Sequence, residues 1–431
     1  MKTSFFSLAV LTAWGAASVF AANLEFAIAN DHANLIYKVG EEAVFTVTAM
    51  RDGKPVSGGW VDAKLDNFGP SVQLSNRVDL AKGNPFTVKG RLAEPGFLRL
   101  TLNAKGEKAK VWSVGYEPER IEKGSPTPDD FDAFWSAARA KLAKEVPLDA
   151  RMTKVPERCT ADFDYYRISF ATFGRRVYGY MSVPTDKAKA PYPVELQVAA
   201  AGFGDWTNNM SGDKGVIKAF FSVYPWAPHW DWRALGLQSA YDYMNDACDR
   251  KYACRRYCTA GLSRSREECF YYPVILGIDR AVDWIAARPD VDRSRFRYQG
   301  TSQGGGFGFY LAGLNRTFTR ATFFVPAITD TMGYLKGRQS GWPQPVEGHR
   351  EEARAAVERN APYFDGANFA SRITCPVRVA VGFADTTCAP CAVYAAYNEI
   401  KVVDKGIVHG FGMTHSCFGK FYEELGKWLR K

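Results

Sequence analysis

Gly300-Thr301-Ser302-Gln303-Gly304-Gly305-Gly306 is the stretch on which the reading of this chain turns. It has the form G-x-S-x-G, extended by two further glycines. Residues 295–298 ahead of it read as a short strand, and residues 307–314 behind it read as a helix. A serine on a sharp strand-to-helix turn is held out from the backbone. Its neighbours must be small because the chain folds tightly around it. The start of the helix then has free N–H groups to offer an oxyanion. A bare G-x-S-x-G serves equally well as a plain turn. Strand, turn, triple glycine and helix in succession mark Ser302 as a nucleophile.

A serine hydroxyl is a weak nucleophile at neutral pH. It needs a histidine base, and the histidine needs a carboxylate to orient it. Where the serine sits on such an elbow, the acid and then the base follow it in the chain. Val377-Arg378-Val379-Ala380-Val381-Gly382-Phe383-Ala384-Asp385 is an apolar run ending in an aspartate. That places Asp385 at the C-terminal edge of a strand, where α/β sheets gather their ligands. The plainer role for Asp385 is to cap the next helix. Of five histidines, His32, His229 and His349 precede the aspartate, and only His409 and His415 follow it. His415 stands just ahead of the last helix (418–429) and is the expected base. His409, at the end of the last strand, is expected to line the cleft or to serve the structure. The oxyanion needs two N–H donors fixed in advance. One is the backbone N–H of Gln303. The other falls in Ala199-Ala200-Ala201-Gly202-Phe203-Gly204, at Ala201 or Gly202, with Ala201 preferred.

The rest of the composition sets the setting. The 431 residues are too many for one typical small domain and suggest two. At 46% hydrophobic and 14% aromatic, the chain is built to bury a core and does not read as disordered. Residues 1–22 carry one lysine, an apolar run and small residues at Val19 and Ala21, which reads as a signal peptide. The expected location is therefore secreted or periplasmic. No later stretch approaches the length of a membrane-spanning helix, so no membrane association is expected. Export permits disulfides, and the nine cysteines include a cluster at Cys248, Cys254, Cys258 and Cys269. A local disulfide staple is the favoured reading of that cluster. A metal site is the alternative, but the spacing fits no zinc pattern well and no histidine lies nearby. Cys388 and Cys391 form C-x-x-C without a thioredoxin-like context. The net charge of +9 is dispersed, without the dense basic run that nucleic acid binding would call for, and it favours acidic partners such as uronate-bearing glycans.

Along the chain, residues 23–115 alternate apolar and polar in short runs separated by Gly and Asn/Asp turns. That predicts a small all-β, immunoglobulin-like sandwich domain. Residues 116–128 form a Pro- and charge-rich linker. Asp129 or Asp130 is then placed to cap a helix from Phe131 to about residue 145. Strands follow at 165–170, 176–184 and 192–199. Strands and helices alternate from there to the C-terminus, which predicts a mostly parallel sheet covered on both faces over 129–431. The fold class is α/β.

With these residues in place, the chain resembles the acetyl xylan esterase and cephalosporin-C deacetylase family, carbohydrate esterase family 7. The resemblance runs from about residue 117 to the C-terminus. Phe131-Asp132-Ala133-Phe134-Trp135 with Pro147-Leu148-Asp149 looks like the family's first helix. The elbow looks like its G-x-S-Q-G-G-G. Tyr363-Phe364-Asp365-Gly366-Ala367-Asn368-Phe369-Ala370, Gly382-Phe383-Ala384-Asp385-Thr386-Thr387-Cys388-Ala389-Pro390 and Tyr394-Ala395-Ala396-Tyr397-Asn398 look like its acid loop and flanking segments. The resemblance implies an α/β-hydrolase fold. It implies deacetylation of acetylated sugars by a Ser302–Asp385–His415 triad, with the backbone of Gln303 and Ala201 as oxyanion donors. It implies neither metal nor organic cofactor, and it implies a homo-oligomer. The chain departs from the family at Ser416, where glutamate is usual, and at Ala201, where tyrosine is usual. It also departs in Ala227-Pro228-His229-Trp230-Asp231-Trp232-Arg233, which stands in place of an Arg-Gly-Gln motif. Trp226, Trp230 and Trp232 offer flat faces for a sugar ring, or plain packing. The competing readings are a same-fold hydrolase of other esters or of peptides, and a non-catalytic relative that binds glycans.

Overall fold

The computed structural model describes residues 23–202, 212–227, 236 and 240–431. The expected signal peptide, His229, Trp230 and Trp232 lie outside the described residues.

The N-terminal region is all β, because its strands alternate apolar and polar residues at a period of two. In β3 (Ala43–Arg51), Ala43, Phe45, Val47 and Ala49 are buried while their neighbours are less so. One sheet joins β1 (Glu25–Asn30), β3, β4 (Lys54–Pro55) and β7 (Phe86–Gly90). The other runs in the order β2 (Ile36–Tyr37), β9 (Lys110–Tyr116), β8 (Gly96–Asn103), β5 (Trp60–Asp66), β6 (Val72–Asp79). The two sheets face each other. A Cβ on Gly90 of the first would come within 3.1 Å of Leu65 and Leu98 of the second. The pairing is antiparallel except between β2 and β9, where Ile36 lies parallel to Gly115.

A nine-stranded sheet carries the rest of the chain. Its order is β10 (Arg151–Lys154), β11 (Phe163–Thr172), β12 (Arg175–Pro184), β14 (Ile217–Phe221), β13 (Tyr192–Val198), β15 (Val291–Thr301), β16 (Arg320–Phe324), β17 (Val377–Gly382), β18 (Lys405–Gly410). From β14 to β18 all pairings are parallel, and the first four strands pair antiparallel. Of the parallel strands, β13, β14, β16 and β17 are buried along most of their length, as strands sandwiched between helices are. The helices are α1 (Phe131–Glu145), α2 (Ala240–Tyr252), α3 (Tyr271–Ala286), α4 (Gln303–Leu314), α5 (Arg354–Asn360), α6 (Gly366–Ala370), α7 (Pro390–Glu399) and α8 (Gly419–Arg430). Successive residues of β16 separate the two faces. Phe323 packs against Phe309 of α4, whereas Phe324 joins Phe421 and Leu425 of α8 in a separate cluster.

Three local expectations are corrected. Asp130 occupies the N-cap position of α1 but makes no cap bond. Its carboxylate is taken instead by Arg266, at 2.9 Å, and by the Tyr363 hydroxyl. The helix after the elbow starts at Gln303, well before residue 307, and runs straight through the glycines. All nine cysteines are free thiols. The expected staple around Cys248–Cys269 is replaced by packing: Cys254 bonds to Arg256 O and the Thr259 hydroxyl, and Tyr257 stands edge-on to Phe270.

Candidate active site

Ser302 sits where β15 ends and α4 begins, with φ +55° and ψ −121°. A side chain at positive φ costs of order 1–3 kcal/mol and persists only where the surroundings enforce it. Here Ser302 N–H donates to Phe324 O of the neighbouring strand, and Ser302 O accepts from Gly306 N–H and Ala327 N–H. The glycines are required by close approach. A Cβ on Gly304 would lie 2.1 Å from Val198 O, and one on Gly306 would lie 2.4 Å from Ala327 O. They let the N-terminus of α4 settle against the ends of β13 and β16.

Asp385 follows β17, fully buried. Its Oδ1 accepts from the N–H groups of Thr387 and Cys388 at 2.8 and 2.9 Å, which fixes the carboxylate plane. Its Oδ2 lies 2.9 Å from His415 Nδ1, and His415 Nε2 lies 2.9 Å from Ser302 Oγ. The structure thus brings together the serine, aspartate and histidine singled out from the sequence. The His415 side chain stays 30% exposed, open to a substrate, while the carboxylate behind it is sealed from water. Such a chain of donors and acceptors can pass the serine proton to the imidazole and hold the resulting cation.

His409 is not part of this arrangement. Its Nε2 bonds the Tyr394 hydroxyl at 2.6 Å, its ring lies among Phe383, Tyr394 and Phe411, and burial lowers its pKa. His349 bonds Pro345 O. Trp226 is half-buried and stacks on Tyr224 at 5.0 Å, so one face of its ring is spent inside the protein.

The Gln303 side chain escaped the sequence reading, which used only its backbone. It is wholly buried. Its Oε1 accepts from the hydroxyls of Tyr257 and Tyr271 at 2.6 and 2.7 Å, and its Nε2 donates to Ala199 O at 3.1 Å. It therefore ties the Cys-rich segment and the 199–202 loop, with Ala201 in it, to the nucleophile turn. A lone amide in an otherwise apolar helix was the available signal. Cys388, read from the sequence only as part of a C-x-x-C, also stands beside the triad. Its thiol, the Asp385 carboxylate and the His415 imidazole offer ligand atoms within 4.8 Å of one another. The carboxylate and imidazole are already bonded together, and burial pushes the thiol pKa well up, which disfavours the thiolate a soft cation needs. A cavity of about 780 Å³ opens elsewhere, at the seam between the β region and the large sheet, near Phe97, Arg120, Lys336 and Arg338. Its cations are already paired, Arg120 with Glu117, Lys336 with Glu122 and Arg338 with Asp330. Among the described residues no helix is long and apolar enough to cross a membrane.

Known proteins match this architecture. Residues 119–431 match the model of the acetyl xylan esterase (AXE1) family. An acetyl esterase, Axe7A, of Xylanibacter ruminicola is 30% identical over 410 residues, covering 93% of this chain and 89% of that protein. Coverage of that extent takes in most of the β region as well. An acetyl xylan esterase from Paenibacillus sp. R4 superposes with a TM-score of 0.59 at 23% identity, over 73% of this chain and 98% of the other. Acetyl xylan esterase 1 of Thermoanaerobacterium sp. JW/SL YS485 does so with a TM-score of 0.58 at 18% identity, over 73% and 96%. These two likenesses establish the α/β-hydrolase fold. Kinship rests on the family match across most of the chain and on the Xylanibacter relative: the chain is a carboxylic ester hydrolase that belongs to the acetyl xylan esterase family.

Proposed function

We propose that this protein is a secreted serine esterase that removes acetyl groups from acetylated xylan, xylo-oligosaccharides or related sugars. The catalytic domain spans 129–431, joined by a linker at 116–128 to a β-sandwich domain at 23–115. The observation that carries the reading is the unbroken relay Ser302 Oγ, His415, Asp385, with both links at 2.9 Å. The family match and the name of the Xylanibacter relative support acetyl esters as the substrate.

In this mechanism His415 Nε2 takes the Ser302 proton as Oγ attacks the acetyl carbonyl. Asp385 stabilises the imidazolium and keeps the ring in the orientation the transfer needs. The carbonyl oxygen, now an anion, is held by the N–H groups of Gln303 and Ala201. Gln303 stands at the first position of α4, where the helix has unspent donors and its positive end. His415 then gives its proton to the departing sugar oxygen, leaving an acetyl-serine. Water, deprotonated by the same histidine, cleaves that ester to acetate and restores Ser302. Every proton is returned, so the steps balance without a cofactor.

The test is acetate release from acetylated xylo-oligosaccharides by the wild type beside Ser302→Ala. Loss of the nucleophile is expected to lower turnover by about 10⁶-fold. Absent release by the wild type, with a small aryl acetate still cleaved, would move the substrate to another class of ester.

A further inference from the structure

We propose that the N-terminal β region is a clamp on the catalytic acid, with Ser113 and Gln339 as positioning residues. The inference rests on Asp385 and His415 acting as described above. It assigns the β region a role in the chemistry beyond spacing.

The acid loop is gripped on both sides of Asp385. On one side Ser113 of β9, wholly buried, donates its hydroxyl to Phe383 O. The ring of Phe97 from β8 stands edge-on to the Phe383 ring at 5.0 Å. On the other side Gln339 Nε2 donates to Thr386 O at 2.8 Å. Gln339 is itself anchored by the β region, since its backbone N–H donates to Phe68 O. The Phe68 turn is rigid: Asp66 accepts from Phe68 N–H and is bound in two places by Arg99, at 2.7 and 3.0 Å. Asn67 adds a bond to Gly337 O at 2.9 Å. Two carbonyls that bracket the catalytic aspartate are thus fixed, one by the β region directly and the other through Gln339, whose backbone the β region anchors.

The base loop is held by the same surface. Gly412 lies against the indole of Trp112, so close that a Cβ there would be 2.5 Å from the ring. Trp112 is fixed in turn by its N–H bond to Asn30. The two loops are also laced together, Phe383 N–H to Gly410 O and Ala384 N–H to Met413 O. The 2.9 Å bond between Asp385 and His415 therefore joins two loops that share one external support. Triad groups must be held to a fraction of an ångström, and a misplacement of 1 Å can cost about 10²-fold.

The experiment uses the full chain and p-nitrophenyl acetate, which needs no sugar subsite. Gln339→Ala keeps the backbone bond to Phe68 and frees only Thr386 O. Ser113→Ala frees Phe383 O, and Ser113→Thr restores a hydroxyl. In Gln339→Ala and Ser113→Ala, kcat is expected to fall about tenfold with KM changed less than about twofold. Ser113→Thr is expected to recover most of the loss. A folded Gln339→Ala protein with wild-type kcat overturns the clamp, even if Ser113→Ala does not fold. Activity that survives Ser302→Ala would instead overturn the triad itself, so the two failures are told apart.

Discussion

His409 and His415 lie close together on the return from the last strand, yet the fold puts them to opposite uses. His409 lies next to the last residue of β18, with its Nε2 on the Tyr394 hydroxyl and aromatic rings on several sides. His415 stands beyond the turn, with a carboxylate on one nitrogen and the Ser302 hydroxyl on the other. The imidazole is the same in both. What differs is the partner set: a phenol that asks only for a hydrogen bond, against a buried carboxylate on one side and a hydroxyl with a proton to give on the other. A histidine becomes a base by having a proton to take and an anion to hold it afterwards.

The first way to break the comparison is to remove each ring. His415→Ala is expected to lower kcat by about 10⁶-fold, as far as loss of the serine does, because the two act as one unit. His409→Gln is expected to change kcat by less than about threefold. Stopped-assay acetate release on both variants measures this. A large loss in His409→Gln would reopen the choice of base between the two histidines.

The partners come next. Asp385→Asn keeps the size of the side chain but puts an amide where the His415 tautomer needs an acceptor. An expected loss on the order of 10⁴-fold in kcat, with the circular dichroism spectrum unchanged, would match the part assigned to it. Tyr394→Phe removes the partner of His409 and is expected to cost about 1 kcal/mol of stability with activity retained, measured by denaturant unfolding.

Much of this is legible in the amino-acid sequence, and the reasons are physical. The elbow glycines announce themselves because nothing larger fits between α4 and the neighbouring strand ends, as Gly304 against Val198 O makes plain. Asp385 is readable because a carboxylate seldom closes an apolar, β-branched strand unless the strand end has a use for it. His415 is readable because chain order leaves two candidates. The clamp is not legible, because Ser113 meets Phe383 across 270 residues of sequence and a buried serine in a β-strand carries no periodic signal. The bonds of the Gln303 side chain are hidden for the same reason, with its tyrosine partners at positions 257 and 271. The disulfide expectation fails because cysteine count speaks to the compartment, while pairing depends on which thiols the fold brings face to face.

The smallest effect is the one that best isolates His409. Burial lowers its pKa below the ordinary value near 6.5. As pH falls through 6.5 the unfolded chain takes up a proton at this ring while the native protein resists it. The unfolded state then binds more protons, so stability is present in full above about 6.5 and is lost as pH drops below it toward the depressed native pKa. His409→Gln keeps an acceptor for Tyr394 but cannot titrate. The fall in urea midpoint between pH 8 and pH 5 is therefore expected to be smaller in His409→Gln than in the wild type, whatever constant offset the substitution adds. Equal falls in the two proteins would mean that the aromatic setting of His409 leaves its titration untouched, and that the contrast with His415 lies in geometry alone.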